Sequence, residues 1–242
     1  MTAMPAADRI HRDVVSYVRR SGRMNESQQR AWDAHHDAWV VDLPSGERQT
    51  SVAEHASIDW TAVFGREAPL KVEIGSGTGH AVTALAQAMP EANVVAFEVF
   101  TPAVASTLGR LARHGVGNVR LVVADGAQAL ATVFGDGTVS ELWTFFPDPW
   151  HKARHHKRRL VSPGFAALVA SRLAPDGVWR LATDWDDYAD AMREVLDAEP
   201  GLANCHDGWA PRFDARPVTK YERRGIDAGR TIHDLAYRAV PR

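Results

Sequence analysis

Leu70-Lys71-Val72-Glu73-Ile74-Gly75-Ser76-Gly77-Thr78-Gly79-His80 is the stretch on which the fold turns. Its first five residues form a short apolar run that reads as a buried strand, broken by Gly75. From Thr78 to Met89 the spacing becomes helical. A strand that runs through glycines into a helix is a turn where main chain can approach a ligand closely. The spacing is G-x-G-x-G, with His80 where a dinucleotide binder has its third glycine. Glu73 stands two residues before Gly75. A carboxylate there is a poor neighbour for pyrophosphate and suits a ligand carrying an ammonium or sulfonium group.

Working outward, strands and helices alternate. Strands are expected at Ala92–Val99, Asn118–Ala124, Val139–Phe146 and Val178–Ala182, the last after an Asp176-Gly177 turn, and near the end at Ile232–Val240. Helices are expected at Pro102–His114, Ala127–Phe134, Pro163–Leu173 (with Ser162 as cap) and Trp185–Leu196. The chain after this last helix reads as irregular up to the final strand. Near the start, Asn25 is a candidate cap for a helix from Glu26 to about Trp39, and residues 42–57 read as loop. Such alternation implies right-handed crossovers and a mostly parallel sheet with helices on both faces, an α/β fold. Ligands in such sheets sit beyond the carboxyl ends of the strands.

Those ends carry acids. The second strand closes on Glu98, which follows Gly75 by 23 residues, near the offset of ~20 at which an acid accepts ribose hydroxyls. The third closes on Asp125, where a carboxylate suits an adenine amine. With Glu73 and the glycines Gly75 and Gly77, these acids describe a site for an adenosine with a cationic amino-acid tail, and S-adenosyl-L-methionine fits. The fourth strand leads into Phe145-Phe146-Pro147-Asp148-Pro149-Trp150, where the prolines fix a turn around Asp148 and Trp150 offers a stacking ring. Five Lys/Arg and three His then fall within His151–Arg159. Such a run is a solvated face or a grip on phosphates. The fifth strand closes on Asp184, either a helix cap or a bidentate acceptor for guanine.

The bulk numbers bound the reading without deciding it. The chain has 242 residues, 45% hydrophobic, and a net charge of −2, so nucleic-acid binding has to come from local patches. Residues 1–30, 151–159 and 212–242 are locally basic. The single cysteine, Cys205, permits no disulfide within the chain. No long uncharged apolar run is present, so no membrane span and a cytoplasmic protein are the expectations; no metal is expected either. Residues 1–57 read as a basic N-terminal arm and helix, and 58–242 as the catalytic domain.

Together these residues resemble the bacterial tRNA (guanine-N7-)-methyltransferase family. The resemblance is carried by Phe146-Pro147-Asp148-Pro149-Trp150-His151-Lys152 with Arg154-His155-His156-Lys157-Arg158-Arg159, and by Arg216-Pro217-Val218-Thr219-Lys220-Tyr221-Glu222-Arg223-Arg224-Gly225. A looser match lies at Arg19-Arg20-Ser21-Gly22-Arg23 with Gln28-Gln29. The likeness spans roughly residue 15 to the end. It implies a Rossmann-like class I methyltransferase with a mostly parallel seven-stranded sheet and an antiparallel C-terminal strand. It implies further that Glu73, Gly75, Gly77, Glu98, Asp125 and Asp148 contact S-adenosyl-L-methionine, with Asp148 catalytic. Lys152, Asp184, Thr219, Lys220, Tyr221 and Glu222 would hold the substrate, and Arg154, His155, His156, Lys157, Arg158 and Arg159 the tRNA. Two departures stand out: Ser76 between the first glycines, and Arg230 and His233 after Gly229, where His and later Trp are expected. Methylation of an exocyclic amine of nucleic acid, or RNA binding without catalysis on the same fold, are the competing readings.

Overall fold

The structure, a computed structural model, describes residues 15–17, 22–47 and 50–240. The Arg19-Arg20-Ser21 part of the N-terminal match, and most of the basic arm before residue 22, lie outside the described residues. Seven strands form one sheet in the order β3-β2-β1-β4-β5-β7-β6. They are β1 (Leu70–Ile74), β2 (Asn93–Phe97), β3 (Val119–Val122), β4 (Val139–Phe145), β5 (Leu173–Thr183), β6 (Leu202–Asn204) and β7 (His233–Ala239). The β1 to β5 pairings are parallel, and β7 runs antiparallel to both β5 and β6. The order therefore reverses between β1 and β4. That switch point opens the crevice in which such sheets place ligands.

The helices begin where the chemistry of their caps allows. Helix α1 (Glu26–Trp39) starts at a capping box in which Asn25 accepts from the Gln28 amide and Gln28 accepts from that of Asn25. The short α2 is Trp60–Phe64. Helix α3 (His80–Ala88) starts two residues later than its spacing suggests, because Gly79 sits at φ +77° and cannot be helical. Helix α4 (Thr101–His114) has Pro102 in its first turn and ends at left-handed Gly115. Helix α5 (Gly126–Val133) is capped by Asp125, and α6 (Pro163–Arg172) by Ser162 with Pro163 next. Helix α7 is Asp186–Asp197 and α8 is Lys220–Asp227.

Two expectations need correction. The segment expected to be irregular after residue 197 contains β6 and α8. Strand β5 begins at Leu173, not Val178, with Asp176 (φ +60°) and Gly177 forming a kink inside it. There the register against β4 shifts between Val139 and Glu141. Ala153–Arg158, within the basic run, is a 3-10 turn.

The two faces of the sheet bury separate cores. On β2, Val95 and Phe97 pack into one core, while Val94 and Ala96 enter the other, as the two-residue period of a strand requires. Trp179, Tyr188 and Tyr237 fill the first core, Trp143 the second. Each large side chain so buried stabilises by about 1.5–3 kcal/mol. Helix α1 packs against the second core through Trp32 and Trp39, and Val41 N–H donates to Leu121 O at 2.9 Å. Val52 and Ala56 belong to the first core. No helix among the described residues is long and apolar enough to cross a membrane.

Candidate active site

A cavity of about 360 Å³ opens at the carboxyl ends of β1, β2, β3 and β4. Glu73, Gly75, Gly77, Glu98, Asp125, Asp148, Thr219, Lys220 and Tyr221 all line it. All six residues expected to touch the cofactor are thus in one wall, joined by three of the six expected to hold the substrate. A larger and more open hollow, about 580 Å³, lies at the opposite end of the strands between Arg66, Pro90 and Asn118. It contains no carboxylate, and the Arg66 side chain there is spent on Asn93 and on the Pro90 and Ala92 carbonyls. Chemistry and topology both favour the smaller cavity.

The glycine turn shapes the floor. Gly75 and Gly77 adopt φ +80° and +55°, and a Cβ on either would meet open space, so backbone conformation selects glycine there. Gly79 is different. A Cβ on it would lie 2.4 Å from Thr107 Cγ2, so the turn is seated directly on α4.

The carboxylates have distinct surroundings. Glu73 is 3% exposed, and its Oε2 has no hydrogen-bond partner. Burial, reinforced by the nearby Glu98 charge and opposed by the Val82 backbone, pushes its pKa up to about 8. Glu98 accepts from Gly77 N–H at 2.8 Å and Phe100 N–H at 2.9 Å, which pins it across the mouth of the turn. Asp125 accepts from Ala127 N–H at 3.0 Å, so its cap to α5 also aims it into the cavity. Asp148 lies in a turn whose flanking residues, Phe146 (φ +53°) and Trp150 (φ +49°), are both left-handed. Non-glycine residues in that region cost of order 1–3 kcal/mol each and cluster at functional sites.

Asp184 and Glu222 do not line the cavity; both are held in ion pairs that fix α8. Glu222, 1% exposed, accepts from Arg212 Nε at 2.8 Å and Arg216 Nη2 at 3.2 Å. Burial alone would raise its pKa, but the two guanidiniums overcome it and hold the carboxyl below its ordinary value. Arg216 is itself 1% exposed, bidentate on Asp234 at 2.6 and 3.1 Å, and stands beside the Phe145 and Phe146 rings. Asp184 pairs with Arg230 at 2.8 Å, and a Cβ on Gly225 would fall 2.9 Å from it. Helix α8 is therefore clamped at both ends, which places Thr219, Lys220 and Tyr221 on the cavity.

The basic run divides. Arg158 lies over the Trp150 ring at 3.8 Å and donates to Val15 O at 3.2 Å; Arg159 donates to Pro149 O at 3.0 Å and pairs with Asp187. These two brace the Asp148 turn. Lys152, Arg154 and Lys157 are exposed, while His155 and His156 are half-buried. His155 lies parallel to Trp150, and Trp150 Nε1 donates to Ser16 O at 2.9 Å. The Trp150 ring is thus engaged by its own chain, while Tyr221 remains 49% exposed.

Several lining residues escaped the sequence reading. Ser16 and Tyr17 close one side of the cavity, with the Tyr17 hydroxyl bonded to Thr50. Gln28 lines it while donating to Pro102 O at 2.9 Å. His80 lines it beside Arg110. Of these, only Gln28 had a signal, as part of the N-terminal match.

A family model described as "Putative methyltransferase" matches residues 67–235. The chain is 53% identical to a tRNA (guanine-N(7)-)-methyltransferase of Cutibacterium acnes, over 97% of this chain and 86% of that one. It is 51% identical to the enzyme of that name from a Nocardioides species, over 97% and 91%. Among solved structures it is similar to the 16S rRNA methyltransferase KamB, with a TM-score of 0.58 and 18% identity over 81% of this chain and 98% of that one. That last likeness concerns the fold.

Proposed function

The chain belongs to the tRNA (guanine-N(7)-)-methyltransferases, and we propose that the carboxylate-lined cavity at the β1/β4 switch point is its catalytic centre. The enzyme transfers a methyl group from S-adenosyl-L-methionine to N7 of a guanine in tRNA. The observation that carries the site assignment is the convergence of Glu73, Glu98, Asp125 and Asp148, from four strand ends, on one cavity.

The residues fit the cofactor. The unpartnered, buried Glu73 oxygen is a place for positive charge, and the glycines leave room for main-chain approach. Glu98 is aimed to accept ribose hydroxyls and Asp125 to accept from the adenine amine. Bound there, the cofactor would supply a methyl on a sulfonium centre, with a neutral thioether as the leaving group.

The rest falls to the chain. Guanine N7 carries an in-plane lone pair and no proton, so no base is needed to make it nucleophilic. The purine becomes cationic as the methyl arrives. Asp148, held by the strained turn, stabilises that charge and orients the base; the fixed turn means little reorganisation accompanies the step. N7 lies on the major-groove edge, which is deep and narrow in A-form RNA and is buried where the nucleotide makes a tertiary contact; the target there unstacks to reach the site, and Tyr221, which lines the cavity, is the ring to receive it. Thr219 and Lys220 bound the same mouth. Asp184 and Glu222 act through α8, by holding Tyr221 in place. Lys152, Arg154, His155, His156 and Lys157 grip phosphates, and Arg158 and Arg159 brace the turn that presents them. Residues 58–242 carry the chemistry and 1–57 supply the arm and α1. A tRNA substrate supports a cytoplasmic enzyme.

Thermal unfolding with and without S-adenosyl-L-methionine tests the site. A ligand at 100 times its Kd stabilises by about 2.7 kcal/mol. That gain should be present in the wild type and shrink in Glu98→Ala and Asp125→Ala. Equal stabilisation of both variants would remove this cavity as the cofactor site.

A further inference from the structure

Among the described residues, the large hydrophobic side chains left exposed are Val218, Tyr221 and Ile226, at 44%, 49% and 44%. All three belong to one nine-residue segment, and that segment borders the substrate cavity. Between them Lys220, Arg223 and Arg224 are exposed, and Asp227 is the acid on the same surface. Helical spacing explains the grouping. Glu222 and Gly225 face inward, so Lys220, Arg223, Arg224 and Asp227 fall on the opposite face, with Tyr221 and Ile226 on its flanks. The one other acid in the helix, Glu222, is neutralised by Arg212 and Arg216 beneath it.

We infer that the outer face of α8 is a second tRNA-binding rim, which holds the nucleotides next to the target guanine through Arg223, Arg224, Ile226 and Val218. This rests on the tRNA-modifying reading above and extends it to residues outside the cavity. The two basic segments leave the cavity mouth from different points, one from Asp148 and one from Tyr221. An apolar surface interleaved with cations fits unstacked nucleotides, whose bases lie on apolar or aromatic groups while phosphates meet guanidiniums. A folded protein partner would be expected to bury such a patch against a complementary acidic one; here the partner already required by the reaction supplies the charge. The double clamp matters because it lets the helix present this face without rearranging on contact.

The test measures tRNA affinity across a salt series for wild type, Arg223→Ala/Arg224→Ala, Ile226→Ser and, as a control on α4, Arg113→Ala. Cofactor affinity is measured in parallel by calorimetry. The double variant should bind unmodified tRNA on the order of ten-fold more weakly at low salt, and the slope of log K against log salt should flatten by about two. Ile226→Ser should weaken binding with its slope unchanged. Arg113→Ala should match wild type in both, and cofactor affinity should hold in every variant. A double variant with wild-type affinity and slope would overturn the rim. Failure of the wild type itself to methylate tRNA would instead overturn the function on which it rests.

Discussion

Glu73→Gln isolates the energetic signature of the cofactor pocket. Among the described residues, Glu73 is the buried carboxylate that has an oxygen without a hydrogen-bond partner. Its pKa rises from 4.5 to about 8, chiefly through burial and then through Glu98. In the unfolded chain it ionises at its ordinary value. Between those two values the unfolded state has released a proton that the folded state keeps. Stability of the ligand-free protein therefore falls as pH rises, by about 1.4 kcal/mol per pH unit from this group alone. The contribution is absent below pH 4.5, is on the order of 3 kcal/mol at pH 7, and levels off above pH 8. Glutamine does not titrate. The variant should thus be more stable than wild type without ligand, by a margin that widens from pH 5 to pH 8. Saturating S-adenosyl-L-methionine should narrow or reverse that margin, since the ionised carboxylate is what a sulfonium or ammonium group rewards. Urea unfolding of both proteins, at several pH values with and without ligand, reads this directly. A stability difference that is flat with pH, or that shrinks as pH rises, refutes the reasoning.

Three further perturbations have definite outcomes. Asp148→Asn keeps the shape of the turn and loses its charge; single-turnover rates should fall by about 10²–10³-fold, and the wild-type rate should show no rise with deprotonation near neutrality. A pH-rate profile governed by such a deprotonation, and abolished in the variant, would make Asp148 a general base. Arg216→Met leaves Asp234 and Glu222 buried beside a missing cation, and chemical denaturation should show a loss of about 3–5 kcal/mol. Gly79→Ala meets both a left-handed φ and the Thr107 side chain at 2.4 Å. It should cost on the order of 2–4 kcal/mol, and adding Thr107→Ala should recover only the packing part, by thermal unfolding.

What the sequence discloses tracks how each element is stabilised. The strands β1 to β4, their acidic tips and the glycine turn are legible because apolar runs, capping residues and glycines are local signals. Helix α8 is not legible as a helix. Its inward face is Glu222 and Gly225, so no apolar period marks it, and its docking depends on Arg212, Arg216 and Arg230. Glu222 and Asp184 read as substrate ligands by resemblance; what the residues alone do not disclose is that Glu222 pairs with Arg212 and Arg216, and Asp184 with the sequence-distant Arg230. Strand β6 is three residues long, below what alternation can reveal, and the kink at Asp176-Gly177 hides that β5 begins five residues earlier than expected. Trp150 reads as a stacking ring, but the carbonyl of Ser16 and the guanidinium of Arg158 occupy it, and Tyr221 is the exposed ring at the cavity.

The most direct measurement is methyl transfer from labelled S-adenosyl-L-methionine to unmodified tRNA by the purified chain, followed by chemical cleavage of the RNA at N7-methylguanine. The account predicts label at a guanine N7, strand scission at that nucleotide, and initial rates of both lower by about 10²-fold or more in Asp148→Ala. Label on an exocyclic amine, a wild-type initial rate in Asp148→Ala, or no label despite tight cofactor binding would contradict it.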